Sequence, residues 1–403
     1  MPESPRYPIA IVRRLKPPAP ARVGGRVVER REDGVRVRDV SGELFVAGPG
    51  AALGAWVVAE GTWNGERLEG RCRLLNAPRV PYPRPDGDAA WFADGRLERL
   101  RERAAMKQAV RDFFAQRAFL EVETPAMVPS PGLDLHLDAF EVQPGALGDG
   151  PRWLITSPEY QMKRVLAGGA ARIVQIARCF RDGERGRHHE PEFTMVEWYR
   201  AFAGSAEVMR DTEQLVAHVA RGTREGSTVI PARGTPVDVA PPWERLTVAE
   251  ALERYAGKTL AALLPDEERF FRVWIEEVEP QLGRGRPVFV THWPASMASL
   301  ARLDPRDPSV ADRFEAYVDG LELCNGFGEL VDPVEQRDRL ERDQRAREEA
   351  GKPAYPIDER FLGALEEGLP PCGGNALGFD RLVMLVLGAA HIEDVLALPS
   401  RRL

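Results

Sequence analysis

Between Ala77 and Asp88 the chain reads Ala-Pro-Arg-Val-Pro-Tyr-Pro-Arg-Pro-Asp-Gly-Asp, with prolines at Pro78, Pro81, Pro83 and Pro85. Each proline fixes its own φ, removes a backbone donor and pushes the preceding residue toward extended geometry, so neither a helix nor an interior strand can run through this stretch. The 403 residues are thereby cut unequally. The expected organisation is a small domain over 1–80, a proline-rich linker over 81–91 and a large domain over 92–403.

Residues 22–77 alternate apolar and polar positions in short runs such as Val35-Arg-Val-Arg and Trp56-Val-Val, punctuated by Asp33-Gly34, Ser41-Gly42 and Asn64-Gly65. Period-two patterning broken by turn dipeptides predicts a small all-β unit. Its order of short segments resembles the first strands of an OB-fold barrel of the kind that reads anticodons. Trp56 and Trp63 are the aromatic residues there that could stack on bases. Beyond the linker, Leu97, Leu100, Ala104, Val110, Phe113 and Phe114 recur near a 3.6 period within 94–119, which predicts an amphipathic helix leading into the large domain.

Composition excludes several classes. Hydrophobic residues at 43% and charged residues at 29%, with 37 Gly and 34 Pro, describe a globular chain and not a disordered or collagen-like one. A formal net charge of −7 lacks the basic surplus of a protein that wraps a nucleic-acid backbone. Cys72, Cys179, Cys324 and Cys372 form no CxxC pair, which points to neither a zinc ribbon nor a disulfide framework; Cys179 and Cys324 read as packing residues on core strands. With no signal-like or membrane-length apolar run, the expectation is a cytoplasmic protein without a membrane partner. Lysine occurs only at positions 16, 107, 163, 258 and 352, so an isolated lysine draws attention.

Three stretches carry chemistry. Gln116–Pro125 runs from a helix into a strand that ends at proline. In Phe180-Arg-Asp-Gly-Glu-Arg-Gly-Arg-His-His-Glu-Pro-Glu-Phe193, Arg181 follows the apolar strand 172–180, and a polar loop leads to a second apolar strand. A guanidinium anchored this way offers planar, bidentate donors to a phosphate. In Asn375-Ala-Leu-Gly-Phe-Asp-Arg-Leu, a small-residue strand meets Gly378 and a helix whose first turn carries Arg381, where a second phosphate could be gripped.

One carboxylate pair follows from strand geometry. Val318-Asp-Gly-Leu321 reads as a two-residue hairpin turn, which sets Tyr317 opposite Glu322 and Glu315 opposite Cys324. Glu315 and Glu322 then share one sheet face. Their repulsion calls for a cation, most simply Mg²⁺ bridged to nucleotide phosphates.

Taken in order, the three stretches resemble motifs 1, 2 and 3 of the class II aminoacyl-tRNA synthetases. Thr156-Ser-Pro-Glu-Tyr-Gln-Met-Lys163, Pro191-Glu-Phe-Thr-Met-Val-Glu-Trp-Tyr199 and Glu322-Leu-Cys-Asn-Gly-Phe-Gly-Glu329 are similar to the lysyl-tRNA synthetase subgroup. The resemblance covers 92–403 and implies an α+β chain: an antiparallel sheet flanked by helices, with the OB-like domain in front. It also implies a homodimer. By the same resemblance Arg181 holds the amino-acid carboxylate and the α-phosphate, and Arg381 the γ-phosphate. Glu315 and Glu322 hold magnesium, Glu159 the amino group nearest the carboxylate, and Tyr199 with Glu329 a distal ammonium; Ser157 and Ala376 line the same pocket. ATP contacts fall to Arg181, Glu184, Glu190, Glu322, Leu323, Gly378 and Arg381. A buried carboxylate beside a hydroxyl suits a lysine-type ammonium, which could not otherwise leave water.

Leu133-Asp-Leu-His-Leu-Asp-Ala-Phe140, Thr291-His-Trp-Pro-Ala-Ser-Met-Ala-Ser-Leu300 and Pro370-Pro-Cys-Gly-Gly-Asn-Ala-Leu-Gly378 resemble the elongation factor P (R)-β-lysine ligase family, a paralogue of the lysyl-tRNA synthetases. Ala376 stands where the synthetases keep glycine, and its methyl would disfavour an α-amino group and tolerate a β-amino one. The implied activity is ATP-dependent adenylation of (R)-β-lysine and transfer to a lysine ε-amino group of elongation factor P. Charging of tRNA with L-lysine is the alternative. Four features depart from the ligase pattern: the N-terminal module itself, Gly183 with Glu184 one position after the usual glutamate, Glu190 before Pro191, and Gly328 before Glu329. His188 and His189 read as exposed loop residues able to reach ATP.

Overall fold

The computed structural model describes residues 7–93, 95–143 and 150–403; residue 94, where the helical pattern begins, lies outside them. The chain divides into two compact units, Met1–Glu98 and Arg99–Leu403.

In the first unit, β1 (Ala19–Arg31), β2 (Gly34–Asp39), β3 (Gly42–Ala47), β4 (Trp56–Trp63) and β5 (Leu68–Asn76) close into a barrel in the order β1-β2-β3-β5-β4. Alternation decides what lies inside: Ala21, Val23 and Val27 of β1 are buried while Arg22 and Arg26 between them are not. The short helix α1 (Ile9–Val12) adds Ile9 and Val12 to this core, held by the Ile9 amide donating to Asp39 Oδ2 at 2.9 Å. The aromatic reading needs correction. Trp56 is 47% exposed, but Trp63, at the end of β4 and paired with Leu68, is only 4% exposed and belongs to the barrel core.

In the second unit, the helix α2 (Arg96–Ala115) begins ahead of Arg99 and buries Met106, Val110, Phe113 and Phe114. It is shorter than the apolar pattern suggests, because Ala118 turns the chain with φ +57°. A nine-stranded sheet follows. Its strands are β6 (Leu120–Glu121), β7 (Arg172–Phe180), β8 (Glu192–Ala201), β9 (Glu244–Thr247), β10 (Val288–Pro294), β11 (Asp307–Val318), β12 (Leu321–Gly328) and β13 (Cys372–Gly378), with Leu303–Asp304 beside β11. The order β9-β10-β11-β12-β13-β8-β7-β6 is antiparallel except at its two edges, where β9 runs parallel to β10 and β6 to β7.

Strand β8 shows how the sheet separates core from site. Val196 and Trp198 pack into the main core with α2, α3 (Ser205–Thr223) and α4 (Phe379–Leu387), whereas Tyr199 packs into a separate cluster with Tyr160 and Phe361. Side chains one apart on a strand point to opposite faces, so Glu197 and Tyr199 share the second face. Cys179 and Cys324 are buried and unpaired, as packing residues should be. Among the described residues no helix is long and apolar enough to cross a membrane.

Candidate active site

The amino-acid end of the site is built on β8 and on the helix Glu159–Ala167. Ser157, just before that helix, donates to Glu197 Oε1 at 2.7 Å, and Tyr199 donates its hydroxyl to Glu197 Oε2 at 3.1 Å. One helical turn beyond Glu159, the Lys163 ammonium lies 2.7 Å from Glu159 Oε1 and 2.6 Å from Glu329 Oε2. Gly374 of β13 forms a wall of this pocket: a Cβ there would stand 2.2 Å from the Tyr199 ring and 2.5 Å from Glu329 Oε1. Ala376 pairs with Glu197 on one side and Asn325 on the other. Ser157, Glu159, Tyr199 and Glu329 are thus brought together.

Burial dominates the electrostatics here. Glu197 is pushed up to about 8 by burial and by nearby Glu159, against the hydrogen bonds from Ser157 and Tyr199. Glu329 is raised to about 8 by burial, with Lys163 opposing. For Lys163 burial acts downward, but Glu159 and Glu329 together outweigh it and hold the ammonium above its ordinary value.

The nucleotide end follows from the loop after β7. Arg181 is fixed by its amide donating to Pro191 O at 2.9 Å, and its guanidinium lies 5.0 Å from the Phe193 ring centre. Gly183 has φ +78°, a conformation that disfavours side chains, so the chain turns where the family motif carries glutamate. That turn brings Glu184 within 3.6 Å of Arg181. Across the site Arg381 donates to Glu322 O at 2.8 Å and to His189 Nε2 at 2.7 Å. His189 is lowered by burial and by Arg381, and His188 is lowered to about 4 by burial, Arg233 and Arg381. Gly378 caps α4, and a Cβ on it would lie 3.4 Å from the Arg381 side chain.

Two ATP-contact expectations land elsewhere in part. Glu190 is buried and accepts from the Ser400 amide at 3.0 Å, near the C-terminus. The Leu323 side chain is buried in the main core, which leaves its backbone as the part it can offer a ligand.

The Val318–Leu321 hairpin is present, with Asp319 and Gly320 both at positive φ, and Tyr317 pairs with Glu322. Glu315, however, pairs with Asn325 and not with Cys324, because an irregularity adds Leu323 between the paired residues Glu322 and Cys324. The shift leaves the shared face intact, since it falls after Glu322. Glu315 is raised to about 7 by burial, with Glu322 adding to the rise and Arg313 opposing it. Arg313 donates to Glu315 Oε1 at 2.7 Å and the Tyr317 hydroxyl to Oε2 at 2.5 Å. Among the described residues no group of three or more His, Cys, Asp or Glu side chains is arranged to hold a metal by itself. Two carboxylates fit Mg²⁺ nonetheless, because that ion commonly takes one or two and completes its shell with phosphates and water.

Gly328 is also accounted for. A Cβ there would stand 2.0 Å from Asp312 Oδ2, in space taken by the Arg302–Asp312 ion pair, whose closest approach is 2.7 Å. The sequence reading missed four groups. Glu197 was legible from its period-two relation to Tyr199, and Lys163 from its i,i+4 spacing to Glu159. Asp380, which accepts from the Thr194 amide at 2.6 Å and pairs with Arg103 at 2.5 Å, is buried next to Arg381. Glu279, raised to about 7 by burial and then by Glu322 and Glu315, joins the carboxylate face from a distant segment, and no local pattern announced it.

An antiparallel sheet with one arginine after a strand beside a carboxylate-rich pocket, and a second arginine in the first turn of a helix, defines a class II synthetase catalytic unit. The family model of class II tRNA synthetases (D, K and N) matches residues 91–402. Relatives named elongation factor P (R)-β-lysine ligase align over almost their whole length. The protein of Yersinia enterocolitica is 42% identical over 320 residues, covering 78% of this chain and 98% of the relative. That of Proteus mirabilis is 43% identical over 323 residues, with the same coverage, and that of Vibrio cholerae is 42% identical over 322 residues, covering 77% and 98%. The chain belongs to the class II synthetases and, within them, to the family of these ligases.

Proposed function

We propose that this protein activates (R)-β-lysine with ATP and transfers it to a lysine ε-amino group of elongation factor P. The observation that carries the reading is the enclosed pocket of Glu159, Glu197, Tyr199 and Glu329 beside Arg181, in a chain that spans nearly all of each ligase relative. Arg181 pairs with the substrate carboxylate and the α-phosphate, bringing nucleophile and electrophile together. Glu159 takes the amino group nearest the carboxylate, and Glu329 with Tyr199 the terminal ammonium. The carboxylate oxygen attacks the α-phosphorus and pyrophosphate leaves, its γ-phosphate held by Arg381. The acceptor amine then attacks the acyl carbon, AMP leaves, and the amine gives up a proton. Glu315 and Glu322 would hold magnesium, which when bound offsets the charge of the phosphates.

The same reading makes the protein a cytoplasmic homodimer whose 1–80 domain is joined by 81–91 to the catalytic domain 92–403. The test is adenylate formation by purified protein with ATP and magnesium, comparing (R)-β-lysine with L-lysine, followed by transfer of label. Preference for (R)-β-lysine with label on elongation factor P is expected. A second reading, lysyl-tRNA synthetase, draws on the closed N-terminal barrel, which lies ahead of the residues matched by the family model. Preference for L-lysine with label on tRNA would establish that reading instead.

A further inference from the structure

Lys163 has no part in the steps above, yet its side chain is 0% exposed, as enclosed as that of Glu329. Burying an ammonium costs several kcal/mol unless it is paired, so its place needs a reason. Its two partners are the carboxylates assigned to the two ammonium groups of the substrate. It engages one oxygen of each, Glu159 Oε1 and Glu329 Oε2. Glu329 Oε1 is buried and has no hydrogen-bond partner among the described residues. A fully buried carboxylate oxygen without a donor is costly, and it packs so close to Gly374 that a Cβ there would stand 2.5 Å from it.

Glu159 and Glu329 thus share one internal cation, while Glu197, bonded to Ser157 and Tyr199, takes no part in that pairing. We propose that Lys163 is a built-in counter-ion that positions Glu159 and Glu329 to receive the two ammonium groups of the substrate. It fixes one oxygen of each carboxylate, so that the other oxygen of each is directed to one substrate ammonium. The inference rests on the proposed amino-acid pocket and deepens it, making Lys163 a positioning and specificity residue that does not touch the reacting atoms.

The test is ATP–pyrophosphate exchange by the full chain, with thermal melting to check folding. Lys163→Ala is expected to raise the KM for the diamino acid on the order of a hundredfold while changing that for ATP by less than about threefold. Propylammonium, which replaces the deleted stem and charge, should recover at least about tenfold of the loss. An unchanged amino-acid KM, an equal rise for ATP, or a loss that propylammonium leaves untouched would each overturn the inference. Should Lys163→Ala not fold, Lys163→Arg keeps the buried charge but moves its donors. It should still raise the diamino-acid KM by at least about tenfold with that for ATP nearly unchanged, and an unchanged diamino-acid KM overturns the proposal. Wild-type protein that exchanges with no diamino acid overturns the ligase reading and this inference with it. Wild-type exchange with a variant that behaves identically overturns the inference alone.

Discussion

Glu197→Gln should make the protein relatively more stable as pH rises, the reverse of what losing a hydrogen-bonded carboxylate usually does. Glu197 is fully buried and pushed from 4.5 to about 8, first by burial and then by Glu159. Between these values the unfolded chain has released the proton and the folded chain retains it. The folded state therefore binds more protons, and stability falls as pH rises through that window. From pH 5 to pH 8 the carboxyl crosses about three units, each worth about 1.4 kcal/mol, so the wild type loses about 4 kcal/mol from this group alone. Glutamine has no proton to release, and the Ser157 and Tyr199 hydroxyls can reorient between its oxygen and its amide. Denaturant unfolding of both proteins at pH 5, 6.5 and 8 measures the effect. The other buried carboxylates act on both proteins alike and cancel in the difference. The variant should gain about 4 kcal/mol on the wild type across this range. Parallel stability curves would refute the argument, because they would mean that Glu197 is ionised in the folded protein well below pH 8.

Gly374→Ala places a methyl 2.2 Å from the Tyr199 ring; it should cost about 1–3 kcal/mol in stability and raise the amino-acid KM in pyrophosphate exchange, with that for ATP nearly unchanged. Arg381→Ala removes the proposed γ-phosphate grip and should lower kcat on the order of a hundredfold in the same assay. Arg347, with a side chain that is 0% exposed, donates to Asp134 O at 2.6 Å, Leu137 O at 2.9 Å and Asp138 Oδ1 at 2.7 Å. Arg347→Met leaves those acceptors unpaired and should destabilise the protein by about 3–5 kcal/mol in chemical denaturation.

Much of the site was legible because its chemistry sits where strands end. The apolar run 172–180 and the small-residue run 372–378 are strands whose last residues hand over to Arg181 and, through the first turn of α4, to Arg381. What escaped was non-local. The extra residue Leu323 is one more apolar side chain in an apolar strand, so the register shift leaves no compositional trace. Trp63 looks like an exposed aromatic until barrel closure sets it inside. Lys163 and Glu159 are four apart, but Glu329 reaches them only through the fold of the whole sheet.

Asp380 invites a mechanical reading. A single carboxylate ties together the long helix through Arg103, strand β8 through the Thr194 amide, and the first turn of α4 on which it sits. Arg381 is the next residue along. Three elements distant in sequence are therefore tied to one carboxylate, one peptide unit from the guanidinium proposed to hold the γ-phosphate, and removing that carboxylate would release all three at once.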